Sequence, residues 1–294
     1  MAGRCRRPGK NCYPSPMSLS AKLLASGTGW RVSDVVCTSG PRDPSYVEQH
    51  SAYSIALVTN GNFKYRSVQG SALMTPGSLL LGNAGACFEC GHQHSRGDRC
   101  LAFHFSPEVL ESVVAATPGA RRPALAAPRL PPVPSVLAVL AAAQALRDEN
   151  GSPEEFRELA LRLAGAVCAA LAQGGSPSPR PPTPRDERRV AAAVRRIEAQ
   201  QDARIRVDDL AADAAVSLFH FLRIFEQVVG VTPGQYMLRT RLRRAAVRLR
   251  RSNDAIAAVA LDCGFDDLST FNRQFRRATG LTPGAYRVRR EFAR

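Results

Sequence analysis

The sequence predicts an α+β chain, with a cupin-like β-barrel and a helical pair in its N-terminal part and an all-α domain of two helix-turn-helix units after it. Three observations predict this. Short segments rich in Val, Leu and Tyr alternate with turn signals early in the chain, and a proline-rich stretch interrupts it at residues 174–185. Beyond that stretch strand signals vanish, and Ala, Leu and Arg at helical spacing continue to Arg290.

Taken in order, residues 1–29 read as a basic leader. Its opening MAGRCRRPGKNCYPSP is irregular, and Met17 directly after it offers a second start position. It lacks the apolar stretch of a secretory signal, and no later run reaches the roughly 20 apolar residues of a spanning helix, so a cytoplasmic chain without membrane attachment is expected. Residues 30–125 form the expected barrel domain. Its strands are read at 30–37, 53–59, 63–68, 79–81 and 101–106, punctuated by Asn60-Gly61 and Pro76-Gly77, which is the grammar of hairpins. Residues 126–173 are read as a helical pair, 134–147 and 154–172, the second introduced by Ser152-Pro153 and a Glu pair. The stretch GGSPSPRPPTPR, residues 174–185, has five prolines and is read as an extended tether. Residues 186–294 are the all-α domain.

A net charge of +15 makes a polyanion the leading partner class. From Asp186 onward there are 21 Arg, no Lys and 13 acidic residues, so this domain carries +8 of the total. It also contains an internal repeat. Gly230-Val-Thr-Pro-Gly-Gln-Tyr236 recurs as Gly280-Leu-Thr-Pro-Gly-Ala-Tyr286, and Phe221, Arg223 and Phe225 recur as Phe271, Arg273 and Phe275. Each copy reads as helix, tight turn and helix, with turns at Ala215-Val216 and Gly264-Phe265. In the first copy Leu218, Phe221, Phe225 and Val228 share an inward stripe, leaving Phe219, His220, Leu222 and Arg223 outward. In the second, Leu268, Phe271, Phe275 and Ala278 face inward while Ser269, Thr270, Asn272, Arg273, Arg276 and Arg277 project. A helix fits the major groove, Arg forks onto guanine and Asn pairs both hydrogen-bonding groups of adenine, so these side chains are the candidate readers of double-stranded DNA. Between the copies, Pro233–Arg250 reads as a connecting helix. Seven arginines between Arg239 and Arg251 give it a strongly basic face, expected to grip phosphates.

The paired motif, LAADAAVSLFHFLRIFEQVVGVTPGQYMLRTRLRRAAVRLR followed by IAAVALDCGFDDLSTFNRQFRRATGLTPGAYR, resembles the DNA-binding domain of the AraC/XylS family. The resemblance implies a non-enzymatic transcription regulator, an activator that works through RNA polymerase, with base-facing positions at Phe219, Leu222 and Arg223 and at Ser269, Thr270, Asn272 and Arg273. It also implies a cupin-like N-terminal domain that binds a small-molecule effector or forms a homodimer. Two positions depart from the family pattern. Ala215 stands where the turn commonly has Gly, a cost of about 1 kcal/mol if its φ is positive, and Leu222 replaces a commonly polar reader.

The N-terminal domain carries Cys87-Phe-Glu-Cys90-Gly-His92-Gln-His94, with Cys100 following. These five Cys and His residues are the sensor candidates. On one strand Cys90, His92 and His94 would share a face, and thiolate with imidazole suits zinc. A reversible disulfide at Cys87 or Cys90, giving redox sensing, is the second reading, with Arg96 and Arg99 lowering a thiol pKa. The third takes the cysteines as small core residues, so no metal ligand is assigned. Asp98 and Arg99 read as a turn with a local ion pair. A DNA-repair methyl acceptor and a metal-dependent cupin enzyme stand as alternative functions; no phosphate-binding loop or nucleophile elbow supports an enzyme.

Overall fold

The computed structural model describes residues 19–45, 47–93, 95–120, 124–132, 134–173, 182–200 and 205–288. The chain divides into two compact units, the first formed by residues 1–131 and 150–179, the second by residues 132–149 and 180–294.

The first unit is built on two antiparallel sheets. β1 (Leu19–Gly27), β2 (Trp30–Cys37), β9 (Asp98–Phe105), β4 (Tyr53–Gly61), β7 (Leu79–Gly82) and β10 (Arg129–Leu130) form one, in that spatial order. β3 (Val47–Gln49), β8 (Cys87–Gly91), β5 (Phe63–Ser67) and β6 (Gly70–Met74) form the other. Ala56, Val58, Leu80, Cys100 and Ala102 of the first sheet and Phe63, Tyr65 and Met74 of the second make one buried cluster, so the sheets pack face to face. Residues 54–58 of β4 are buried without interruption, as expected of a strand covered on both faces. Among the described residues no strand pairing joins the two sheets. The closed barrel expected from sequence is therefore replaced by a two-layer arrangement.

The leader also needs revision. Residues 1–18, including Met17, lie outside the described residues, but Leu19–Gly27 is a paired strand against β2, running from Leu19 opposite Cys37 to Gly27 opposite Trp30. α1 (Pro107–Ala116) follows β9 directly, with Ser106 as its N-cap.

The expected helical pair forms but does not stay together. α3 (Pro153–Ala172) opens on a capping box between Ser152 and Glu155, buries Phe156, Leu159, Leu163 and Val167, and contacts α1, β1 and β2 in the first unit. α2 (Pro134–Glu149) belongs instead to the second unit. Both sequences are Ala- and Leu-rich, so hydrophobic pattern alone could not assign them to different cores.

The second unit comprises α2 and seven further helices: α4 (Pro184–Ala199), α5 (Val207–Asp213), α6 (Leu218–Val229), α7 (Pro233–Arg251), α8 (Ile256–Asp262), α9 (Leu268–Thr279) and α10 (Pro283–Val288). The tether is shorter than read, since Thr183 caps α4 and Pro184 and Arg185 lie in its first turn; residues 174–181 are outside the described set. α6 packs on α4 and α5, while α2 packs on α7 and α9. Leu137 and Ala141 of α2 join Leu242, Ala246 and Leu249 of α7 and Phe271 and Phe275 of α9 in one buried cluster. No described helix is long and apolar enough to cross a membrane.

Candidate nucleic-acid interface and sensor cavity

Each helix-turn-helix is closed by the same backbone device. After α5, Val216 donates to the Ala211 carbonyl and Ala215 to Ala212; after α8, Phe265 donates to Ala260 and Gly264 to Leu261. The pivot residue is left-handed in both turns, with φ of 50° at Ala215 and 84° at Gly264. Ser217 and Asp267 then cap the second helices by accepting from the backbone of His220 and Thr270. Gly230 and Gly280 end them in left-handed conformations, and Thr232-Pro233 and Thr282-Pro283 start the next. The repeated Gly-x-Thr-Pro motif is thus a helix stop followed by a helix start.

This punctuation presents the predicted outward faces. Phe219, Arg223, Ser269, Asn272, Arg273, Arg276 and Arg277 are exposed, and Leu222 and Thr270 are half-buried. Phe219 is 83% exposed, far more than core packing would leave an aromatic ring. His220 has local work. Its Nδ1 lies 3.1 Å from the Arg223 guanidinium and its Nε2 is 3.8 Å from Asp186, so it orients Arg223 more readily than it reaches outward. Phe221, Phe225 and Val228, and Phe271 and Phe275, are buried as expected. Leu268 is 41% exposed and Leu218 and Ala278 only half-buried, because the first-turn and last-turn positions lie at the margins of each core.

The connecting helix overturns an expectation. Its length is right, but five of the seven arginines from Arg239 to Arg251 are paired within the protein. Arg243 is buried and paired with Glu198, and Arg244 donates to the carbonyls of Ile197, Glu198 and Gln200, the C-terminal end of α4. Arg248 pairs with Asp254 and Asp262, Arg251 with Asp148, and Arg239 donates to the Pro132 carbonyl. By contrast, among the described residues no hydrogen bond or ion pair engages Arg273, Arg276 or Arg277. All three arginines of α9 are thus uncommitted, whereas most of those on α7 are paired.

Residues 210–289 match a family model described as a helix-turn-helix domain. A regulator of Mycobacterium tuberculosis, Rv1931c, is 40% identical over 70 residues, 24% of this chain and 27% of that protein. The Tn10 TetD protein of Escherichia coli is 38% identical over 80 residues, 27% of this chain and 58% of that protein. A solved AraC-type regulator structure from Chromobacterium violaceum is 31% identical, covering 35% of this chain and 91% of that one, with a TM-score of 0.33. The chain carries an AraC-type helix-turn-helix domain. It spans between about a quarter and three fifths of the length of these two curated relatives.

The first unit holds a cavity of about 210 Å³, lined by both sheets and including Cys37, Glu48, His50, Cys90, His92, Asp98, Cys100 and His104. His50 is buried, bonds the Tyr65 hydroxyl at 2.9 Å and stacks on Phe88; burial depresses its pKa to about 4. His104 is likewise depressed to about 4, first by burial and then by the charges of Arg31 and His50. Its Nδ1 is buried without a hydrogen-bond partner among the described residues.

Of the sensor candidates, Cys90, His92 and Cys100 meet in this cavity and His94 lies outside the described residues. β8 ends at Gly91, so His92 does not continue a strand face with Cys90. Of the two cysteines read as disulfide candidates, Cys87 is disulfide-bonded and Cys90 is a free thiol. Nor does arginine activate these thiols: burial, reinforced by the Asp98 carboxylate, pushes Cys90 and Cys100 well above the usual thiol range. The local Asp98–Arg99 pair gives way to two longer connections. Arg99 forks onto Asp34 at 2.9 and 2.5 Å, and Asp98 accepts from His92 at 2.6 Å.

The residue missed from sequence is Cys37. It sits directly opposite Asp98 in the β2–β9 register. Burial raises its pKa, but hydrogen bonds from His92 and Ser39 outweigh this and hold it below the usual thiol value. Burial also opposes charge on His92, yet Asp98 and Cys37 lift it to about 9. No local motif announces this trio; only strand register brings Cys37 to His92 and Asp98.

Proposed function

We propose that this chain is a sequence-specific, double-stranded DNA-binding transcriptional regulator, an activator controlled through its N-terminal unit. The observation that carries this reading is the outward face of α9. Ser269, Asn272, Arg273, Arg276 and Arg277 project from a helix held by buried Phe271 and Phe275, with their polar ends uncommitted. Such groups supply forked contacts to guanine, paired contacts to adenine and charge to phosphate. α6 offers a more apolar face, in which Phe219 and Leu222 suit thymine methyl groups and Arg223 a guanine edge. α7 has 19 residues; at 1.5 Å per residue it spans about 28 Å, near the roughly 34 Å between successive major-groove windows.

Control by the first unit is supported by the cavity and by the path of the chain. α2 is a core helix of the second helix-turn-helix, yet residues on both sides of it belong to the first unit. Any change of state in the first unit therefore has a covalent route into the packing beneath α9. The two-layer, cupin-like sheets would hold a small-molecule effector, and self-association and recruitment of RNA polymerase in the cytoplasm are the remaining relations implied by the family. Neither the methyl-acceptor nor the enzyme alternative gains a specific supporting observation.

The test is selection of bound duplexes from a random-sequence pool by the full chain, followed by titration at several salt concentrations. A recovered consensus with two half-sites, and an Arg273→Ala loss of about 1–3 kcal/mol at one base position, is expected. Absence of any consensus together with unchanged affinity in Arg273→Ala would overturn the reading.

A further inference from the structure

The donor set at the rim of the first unit's cavity supports more than a hydrogen-bonded cluster. The Cys37 sulfur, a His92 ring nitrogen and an Asp98 carboxylate oxygen all lie within 4.8 Å of one another. They converge from separate places: the end of β2, the turn after β8 and the first residue of β9. Cys37 and Asp98 are fixed by ladder register. The side chains of His92 and Asp98 are only 7% and 8% exposed, and Cys37 is 6% exposed, so water does little to solvate any of the three.

We propose that Cys37, His92 and Asp98 bind a thiophilic divalent cation, zinc by the chemistry of the donors, and that the ion's fourth position faces the cavity. One sulfur, one imidazole nitrogen and one carboxylate oxygen match zinc's ligand preferences. Calcium or magnesium would call for oxygen donors throughout. The fit requires a small adjustment. With metal–ligand lengths of about 2.0–2.1 Å, tetrahedral geometry separates the nitrogen and oxygen by about 3.3 Å. His92 and Asp98 stand 2.6 Å apart, so their direct contact opens by less than an ångström as the ion replaces the shared proton.

The surroundings suit such a site. Cys100 Sγ lies 3.5 Å from the second Asp98 oxygen and orients that carboxylate. At about 210 Å³ the cavity is smaller than the roughly 300–1,000 Å³ of pockets for drug-sized ligands, which favours a compact occupant. An ion here would clasp the β8–β9 turn to the end of β2. Because that clasp lies in the first unit, this inference deepens the sensor half of the proposed function and does not rest on DNA reading.

The test loads the purified full chain with zinc chloride, removes excess ion without chelator and measures metal by mass spectrometry. Cys37→Ser, Asp98→Asn and Cys168→Ser are compared, the last replacing a buried thiol in α3 that is not one of the donors. About one zinc per chain is expected in the wild type and in Cys168→Ser, with affinity reduced ten-fold or more in the two donor variants. Cobalt substitution provides a second readout in folded protein, a thiolate-to-cobalt charge-transfer band that disappears in Cys37→Ser. Asp98→Asn, nearly isosteric, covers the case in which Cys37→Ser does not fold. Substoichiometric zinc in the wild type, or zinc and cobalt signals equal across all variants, overturns the site. Direct metal content keeps that failure separate from any failure of promoter response.

Discussion

Arg243 of α7 donates to both carboxylate oxygens of Glu198 at the end of α4, at 2.9 and 2.7 Å. Glu198 also accepts from the Tyr236 and Thr240 hydroxyls, so one carboxylate ties the end of α4 to the connecting helix. Removing one member of a buried ion pair leaves the other unsatisfied, which costs far more than the pair is worth against an apolar replacement. Glu198→Ala should destabilise the second unit by roughly 3–5 kcal/mol in urea unfolding. A loss below about 1 kcal/mol would show that Arg243 finds water or another acceptor.

The two left-handed pivots predict opposite responses. Ala215 adopts φ 50° with a Cβ present, so Ala215→Gly removes a strain of about 1–2 kcal/mol and adds unfolded-state entropy of about 0.4–1. A net gain near 0.5–1 kcal/mol is expected. Gly264→Ala meets the same backbone strain and also places a Cβ 3.2 Å from Arg241 Nε. Thermal unfolding should move up for the first variant and down for the second; movement in the same direction contradicts the account.

Arg273 and Phe219 test interface against core. Both are exposed, so Arg273→Ala and Phe219→Ala should leave unfolding midpoints within the error of the wild type. Each should nevertheless weaken binding to the selected duplex, Arg273→Ala by about 1–3 kcal/mol. Retained affinity in both variants would place the interface elsewhere.

α2 should matter to the helix-turn-helix it underlies. Leu137 is 5% exposed in the α7–α9 core, so Leu137→Ala should cost about 2–5 kcal/mol and lower DNA affinity without touching a DNA-facing residue. A fragment beginning at Asp186 lacks α2 and should expose the same apolar surface, measurable as binding of a hydrophobic dye. Wild-type stability in Leu137→Ala would detach α2 from this core.

Acid should loosen the first unit. His50 and His104 titrate near 4 when folded and near 6.5 when unfolded, so the unfolded chain takes up protons first. Stability is then present above pH 6.5 and falls as pH drops toward 4, by roughly 3 kcal/mol per histidine. His92, lifted to about 9, is protonated in both states only below about pH 5.5, where it adds no slope; nearer 6.5 it opposes the trend slightly. The urea midpoint should decline from pH 6.5 to 4.5, and less steeply in His50→Gln. Parallel profiles for the two proteins would rule out this linkage.

Much of the second unit could be read from residue order alone. Its determinants are local: Gly-x-Thr-Pro stops and starts a helix within four residues, caps sit three positions before the groups they accept from, and period-3.6 stripes separate Phe271 and Phe275 from Asn272 and Arg273. The sequence therefore determined the duplicated helix-turn-helix, its domain type and its outward face. Tertiary structure decided what depends on partners distant along the chain. The arginines of α7 look identical in sequence, yet Arg243 and Arg244 are committed to α4, because only packing brings the Glu198 end of α4 beside them. α2 and α3 carry the same apolar composition and enter different units. Cys37 and Asp98 meet through strand register, which no spacing rule encodes across such a separation, since the pairing is fixed by the burial of entire faces and not by neighbouring residues.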